Sequence, residues 1–205
     1  VTAIDNAPSV VAEAVGHANE LGVDNVHFAV GDVYRLDFAD NAFDVIHAHQ
    51  VLQHLTDPVA ALTEMRRVCA PGGVVAARDA DYAGMIWAPA DPRLDRWMAL
   101  YQEVARGNDA EPDAGRHLLG WAQQAGFGSV ESSASVWCYA TDESRSWWGG
   151  VWADRILTSS VADLALARGL TDRAELESIS AAWQDWGQRP DGWFMIPHGE
   201  IIARP

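Results

Sequence analysis

The stretch FDVIHAHQVLQHLTDPVAALTEMRRVCAPGGVVAA, residues 43–77, decides the predicted fold. Its first five residues are an apolar-rich run of strand type. Asp57 followed by Pro58 is a capping residue and a first-turn proline, which predicts that a helix begins there. One apolar helical face follows at Val59, Leu62, Met65 and Cys69.

The end of this stretch predicts a second strand. Residues 71–73 are Pro-Gly-Gly, which ends a helix, and residues 74–77 are continuously apolar. A strand, a helix and a further apolar strand are typical of a parallel pair joined by a crossover helix.

The preceding residues repeat this order. Residues 1–5 read as a strand, Pro8 opens a helix with Asn6 as a candidate cap, and residues 25–30 form the next strand. Strands that alternate with helices predict an α/β, Rossmann-like, doubly wound and mostly parallel sheet.

The second half of the chain predicts a helical insertion and an antiparallel terminal strand. Residues 129–139 and 193–203 have strand character, and most of the remaining sequence has helical spacing. The predicted helices cover residues 94–104, 116–124, 142–168 and 172–187.

Composition narrows the function classes. The 205 residues include 29 acidic and 14 basic side chains, for a net charge of −15. Such a surface repels phosphate backbones and anionic lipid, so we expect no nucleic acid and no membrane as partner.

No apolar run approaches the ~20 residues that span a bilayer. The start shows no secretory-signal pattern, and Cys69 and Cys138 are expected to be buried thiols in a reducing, cytoplasmic setting.

Ligands of open parallel sheets bind at the carboxyl ends of the strands, so strand-terminal residues are the site candidates. Asp5 is placed to accept hydrogen bonds from both hydroxyls of a ribose, and an acid at a helix start explains it equally well. Asp32 and the backbone of Val33 could read an adenine, with an ordinary turn as the alternative.

Three histidines, His47, His49 and His54, lie within eight residues. The alternation of His47 and His49 resembles the H-x-H motif of metal-dependent hydrolases, which require further ligands. Val51 and Leu52 stand where another ligand group is expected, so we favour no metal.

Three segments in order carry a family resemblance: VTAIDNAP (residues 1–8), GDVYRLDFADNAFDVI (31–46) and VLQHLTDPVAALTEMRRVCAPGG (51–73). Together they resemble class I S-adenosylmethionine-dependent methyltransferases, and most of all the branch with the ubiquinone/menaquinone-biosynthesis C-methyltransferases. The resemblance covers about the first 80 residues.

The resemblance implies S-adenosylmethionine as cofactor and residues 1–90 as the cofactor-binding part. Its implied cofactor contacts are Asp5, Asn6, Asp32, Val33, Ala48, His49 and Gln50. The family's first strand and glycine-rich loop would precede Val1, between the strands that end at Asp5 and His47. We therefore expect this sequence to be the C-terminal part of a longer protein, or the strand to come from elsewhere.

Residues 91–205 are expected to form a helical substrate cover with the closing strand pair. Methyl transfer needs a base only when the acceptor loses a proton, and the candidates are His49, His54 and His198. The candidate substrate contacts are Asp81, Tyr82, Trp147, Trp148 and Trp152.

We therefore expect a methyltransferase for a small molecule, with an aromatic acceptor as one option, acting as a monomer or homodimer. A metal-dependent hydrolase using the three clustered histidines is the alternative from another class. A non-catalytic fragment is a further alternative.

Overall fold

The computed structural model describes all 205 residues, in seven strands and seven α-helices. The strands are β1 (Thr2–Asp5), β2 (His27–Val30), β3 (Phe43–His49), β4 (Cys69–Ala80), β5 (Ile86–Ala88), β6 (Ser129–Tyr139) and β7 (Trp193–Arg204). The helices are α1 (Pro8–Glu20), α2 (Pro58–Val68), α3 (Pro92–Arg106), α4 (Leu118–Gln124), α5 (Asp142–Thr158), α6 (Ser160–Ala167) and α7 (Arg173–Gln188).

The first unit is β1–α1–β2, in which β1 and β2 pair in parallel as a separate two-stranded sheet. The N-cap of α1 is Ala7 and has no side-chain hydrogen bond, so the prediction of Asn6 as the cap is wrong. The helix begins one residue too late for Asn6 to cap it. Asp5 instead accepts a hydrogen bond from the Ala7 N–H at 2.8 Å. No residue before Ala48 is buried.

The segment that decided the prediction forms the parallel pair β3–β4 with α2 between them. Asp57 caps α2 by accepting from the Ala60 N–H at 2.9 Å, as predicted. However, α2 ends at Val68 and β4 begins directly at Cys69. The prediction that the helix continues to Pro71 is therefore wrong, because Cys69 already pairs with Phe43 of β3.

Strand β7 organises the second, five-stranded sheet. Along one edge it pairs with β4 and β5, along the other with β6, and all three pairings are antiparallel. Helices α5, α6 and α7 lie between β6 and β7 in the chain, as the predicted insertion. The α/β, Rossmann-like class is confirmed, with an antiparallel terminal strand.

Two apolar clusters form the core, and β7 contributes to both. Phe194 and Ile196 belong to the larger cluster, built mainly from α3, α5 and α7. Ile201 and Ala203 belong to the smaller cluster, with β4, α2 and α4. Since α4 and β7 complete the cluster under β4, residues beyond 90 pack with residues before it. The division at residue 90 stays a prediction.

Helices α5 and α7 cross closely at Gly149, where an added Cβ would lie 2.6 Å from the Trp183 carbonyl oxygen.

Cys69 is buried, and neither cysteine forms a disulfide. Cys138 is exposed, so the prediction that both thiols are buried is wrong for this residue. It lies on β6 between the half-buried Trp137 and Tyr139, and alternation directs it outward.

Candidate active site

The candidate site begins where β3 ends. Gln50 follows His49 with a φ of 55°, a conformation uncommon for residues other than glycine. Its N–H donates to the Arg78 carbonyl at 2.7 Å, and its Nε2 lies 3.1 Å from His198 Nε2. Backbone strain held by surrounding contacts is concentrated at functional sites, which makes Gln50 a candidate site residue.

Asp79, at the end of β4, fixes the turn that follows β3. Its Oδ1 accepts from the Gln53 N–H at 3.0 Å, and its Oδ2 has no partner although the residue is fully buried. Burial raises the pKa of Asp79 to about 7, against the lowering effect of hydrogen bonds from the Gln53 and Leu52 backbone. Asp79 thereby ties the 3-10 turn Leu52–His54 to the sheet.

Two cavities lie beyond these strand ends, with volumes of about 350 Å³ and 200 Å³. They are adjacent, since Gln50, Tyr82, Trp152 and Arg155 line both. The larger cavity is also lined by Gln53, His54, Tyr101, Ser159 and Val161, and the smaller by Ala80, Met85, Trp137, Tyr139, Trp147, Trp148 and Ile196.

Stacked rings build the cavity walls. Tyr82 and Tyr101 stack with ring centroids 4.3 Å apart and planes 5° apart. Tyr139 and Trp148 stack at 4.5 Å and 6°. Such pairs present flat apolar surfaces with little conformational freedom, which suits a flat ligand.

The structure separates the predicted substrate residues into two groups. Tyr82, Trp147, Trp148 and Trp152 line the cavities. Asp81 does not: its carboxylate accepts from Arg116 Nε at 2.6 Å and Nη2 at 2.5 Å, and from the Gly84 N–H at 3.0 Å. These contacts occupy both of its oxygens and make a structural role the better interpretation.

Sequence reasoning missed Arg155, Tyr101 and Gln53. A signal for Arg155 was present, because Trp148, Trp152 and Arg155 follow one another at helical spacing on α5. Tyr101 lies on α3, whose position over Tyr82 no local pattern gives.

The candidate catalytic histidines occupy three different environments. His54 lines the larger cavity and its Nε2 lies 3.1 Å from Gln53 Nε2. Desolvation by the surrounding protein lowers the pKa of His54, so the imidazole is neutral at pH 7. Neutral imidazole can accept a proton.

The other two histidines lie outside both cavities. His198 is buried behind Gln50, and burial, then the nearby Arg78 charge, lower its pKa to about 4. His49 is exposed, and its Nε2 lies 2.9 Å from Arg78 Nη1. Desolvation, followed by the charges of Arg78 and His47, lowers the pKa of His49. His198 is therefore placed to position Gln50, and His49 contacts the wall residue Trp137 at a centroid distance of 5.7 Å.

The predicted cofactor residues lie at the strand ends. Asp5 ends β1, and Asp32 follows β2 with its Oδ1 accepting from the Tyr34 N–H at 2.9 Å. Each carboxylate uses only Oδ1 within the chain, since Oδ2 of neither residue accepts a hydrogen bond. Asn6 is exposed beside Asp5, Val33 is half-buried, and Ala48 is buried in β3. Free carboxylate oxygens at neighbouring strand ends fit a ligand with hydroxyl and amine donors.

The three clustered histidines do not form a metal site. No three His, Cys, Asp or Glu side chains in the structure are grouped to hold an ion. The His47 and His49 ring centroids are 6.2 Å apart, and His54 faces the cavity from the following turn. The hydrolase alternative therefore has no support.

None of the α-helices has the length and apolarity needed to cross a membrane.

Comparison with known proteins gives the family. Residues 1–132 match the family model described as "Methyltransferase domain". An uncharacterized methyltransferase of Schizosaccharomyces pombe is 38% identical over 186 residues, which cover 89% of this chain and 65% of that protein. The ubiquinone/menaquinone biosynthesis C-methyltransferase of Bdellovibrio bacteriovorus is 43% identical over 75 residues, covering 37% of this chain and 32% of that one.

A solved structure gives the fold. Phosphoethanolamine N-methyltransferase 2 of Haemonchus contortus, in complex with phosphomonomethylethanolamine and S-adenosylhomocysteine, has a TM-score of 0.56. It is 15% identical, and the match covers 100% of this chain and 44% of that one.

The fold is that of the Rossmann-like methyltransferases. The chain belongs to the methyltransferase-domain family, within the class I S-adenosylmethionine-dependent enzymes and related to the menaquinone branch. It spans a little under two thirds of the length of the Schizosaccharomyces relative.

Proposed function

We propose that the protein binds S-adenosylmethionine at the ends of β1, β2 and β3 and methylates a small molecule held in the two cavities. The observation that carries this proposal is the position of Gln50. It directly follows the predicted cofactor residues Ala48 and His49 and also lines both cavities. One residue therefore borders the two places between which a methyl group would move.

The residues present fit the cofactor. Asp5 would accept from the ribose hydroxyls and Asp32 from the adenine amine, each through the oxygen that no group of the chain occupies. When bound, S-adenosylmethionine supplies a methyl group on a positively charged sulfur, already activated for displacement. The protein mainly has to align the acceptor and exclude water.

The cavity walls would perform that alignment. The stacked Tyr82–Tyr101 pair and Trp152 form flat faces against which an aromatic acceptor can lie. When the acceptor carries a proton, His54 is the proposed base, because its neutral ring reaches the larger cavity. His198 and His49 would act through Gln50 and the wall rather than on the acceptor.

Calorimetric titration of the native protein with S-adenosylhomocysteine tests the proposal. We expect saturable binding that Asp32→Ala weakens by about tenfold, the loss of roughly one good hydrogen bond to a charged group. Asp24→Ala is the matched control, since Asp24 is an exposed aspartate whose carboxylate accepts no hydrogen bond within the chain, unlike that of Asp32. Absence of binding to the native protein, or equal losses in the two variants, would overturn the proposal.

A further inference from the structure

One of the side chains that line the cavities is set apart by its charge. The chain has no lysine, and all 14 of its Lys+Arg residues are arginines in a molecule of net charge −15. Ten of these arginines have an acidic oxygen within 4.0 Å. Two others, Arg66 and Arg168, donate to carbonyl oxygens.

Arg155 is different from these arginines. Arg155 is exposed and lines both cavities, and its guanidinium makes no ion pair and no hydrogen bond within the chain. Arg35 is also unpaired, but it lines neither cavity. A cation left without a partner in so acidic a protein, at the junction of two cavities, is available for a ligand.

No other group in the cavities neutralises this charge. Neither lining includes an aspartate or a glutamate. The one histidine present, His54, is neutral at pH 7 because desolvation lowers its pKa. The cavities therefore combine several aromatic faces with a single positive charge, and a cationic acceptor would be repelled there.

The position of Arg155 also relates the charge to the aromatic walls. Its Cζ lies 5.9 Å from the centroid of the Trp152 ring, one helical turn away on α5. The Arg155 charge lowers the pKa values of Tyr82 and Tyr101, an effect smaller than that of burial, which raises both. The guanidinium thus acts on the same tyrosine pair that forms the flat wall.

We propose that the acceptor is a planar aromatic carboxylate, whose ring lies against Tyr82 and Trp152 and whose carboxylate pairs with the Arg155 guanidinium. This inference rests on the proposed function, because the bound aromatic carboxylate is an acceptor only if the protein transfers a methyl group. The binding site itself is independent of methyl transfer. A guanidinium and a carboxylate form two parallel hydrogen bonds, which fix the direction of the ring within the cavity.

The test is a binding cycle with 6-hydroxy-2-naphthoate and its neutral amide, measured by calorimetry. For the native protein we expect the acid to bind about tenfold more tightly than the amide, since bidentate charged hydrogen bonds contribute about that much. Arg155→Gln should bring the affinities for the acid and the amide within twofold of each other, because the acid loses a charged, bidentate contact and the amide loses less. Arg155→Lys should restore part of the preference for the acid.

The control is Arg204→Gln, which removes an equal charge from an exposed arginine outside both cavities. Equal affinities of the native protein for acid and amide, no binding of the acid, or equal losses in the Arg155 and Arg204 variants would overturn the inference. S-adenosylhomocysteine binding is titrated separately. If it persists while the acid fails to bind, only the substrate class is wrong. If it is absent while the acid binds through Arg155, the proposed function fails and the carboxylate site stands.

Discussion

Asp79→Asn should stabilise the protein relative to the native chain, and this gain should be larger at alkaline than at acidic pH. The folded protein keeps Asp79 protonated up to about pH 7, whereas an unfolded aspartate has a pKa of 3.8. The stabilising contribution of the protonated Asp79 is complete below the unfolded pKa of 3.8. It falls as the pH rises between the two pKa values and is lost once the pH has passed the folded pKa of about 7. Asparagine resembles the protonated acid at every pH and still accepts from the Gln53 N–H.

The magnitude follows from the two pKa values. A difference of about three pH units corresponds to about 4 kcal/mol when both states have titrated. Near pH 5.5 the cost of Asp79 is about 2 kcal/mol, and near pH 8 it is about 4 kcal/mol. The free energy of unfolding of the variant, minus that of the native protein, should therefore be about 2 kcal/mol larger near pH 8 than near pH 5.5.

Urea denaturation of both proteins, followed by tryptophan fluorescence near pH 5.5 and near pH 8, measures this double difference. His198 titrates in the opposite direction, because its folded pKa of about 4 is depressed, but it contributes equally to both proteins. Asp24→Asn serves as the control at an exposed carboxylate. A stability difference between native protein and Asp79→Asn that is the same at both pH values would refute the reasoning.

Two further outcomes are expected. His54→Gln should lower the rate of methyl transfer to 6-hydroxy-2-naphthoate by about 100-fold, as for loss of a general base, with S-adenosylhomocysteine affinity unchanged. His17→Gln, on exposed α1, is its control, and an unchanged rate would count against His54. Arg116→Met should lower the free energy of unfolding by about 1 kcal/mol, because Asp81 loses its bidentate partner and Arg116 is half-exposed. A urea midpoint no lower than that of Arg204→Met would contradict this.

Local pattern was sufficient for the strand–helix–strand order. Asp57 and Pro58 specify the start of α2 through a side-chain cap and a fixed φ, both of which are local effects. Its end was not predictable in the same way. Cys69 continues the apolar face of α2, yet it lies in β4 because pairing with Phe43 competes with the next helical turn.

The candidate site divides along the same line. Asp5 ends β1, Asp32 lies two residues after β2 and Gln50 directly follows β3, so strand prediction was enough to nominate them. The spacing of Trp148, Trp152 and Arg155 indicated that they share one side of α5. It did not show that Arg155 lacks an acidic partner, because this depends on the placement of every carboxylate in the fold. Asp81 shows the converse: its position after a strand made it a candidate, but its carboxylate accepts hydrogen bonds from Arg116, which is distant in the chain.

The sequence by itself determined the family and the order of its α/β elements, and it nominated the strand-terminal acids as cofactor contacts. These depend on residue types at short spacings, which the chain carries directly. Only the tertiary structure decided where the three candidate histidines lie: His54 faces a cavity, His198 lies behind Gln50, and His49 is hydrogen-bonded to Arg78. The physical reason is that burial and hydrogen-bond partners set the pKa and reach of an imidazole, and both are supplied by residues distant in the chain.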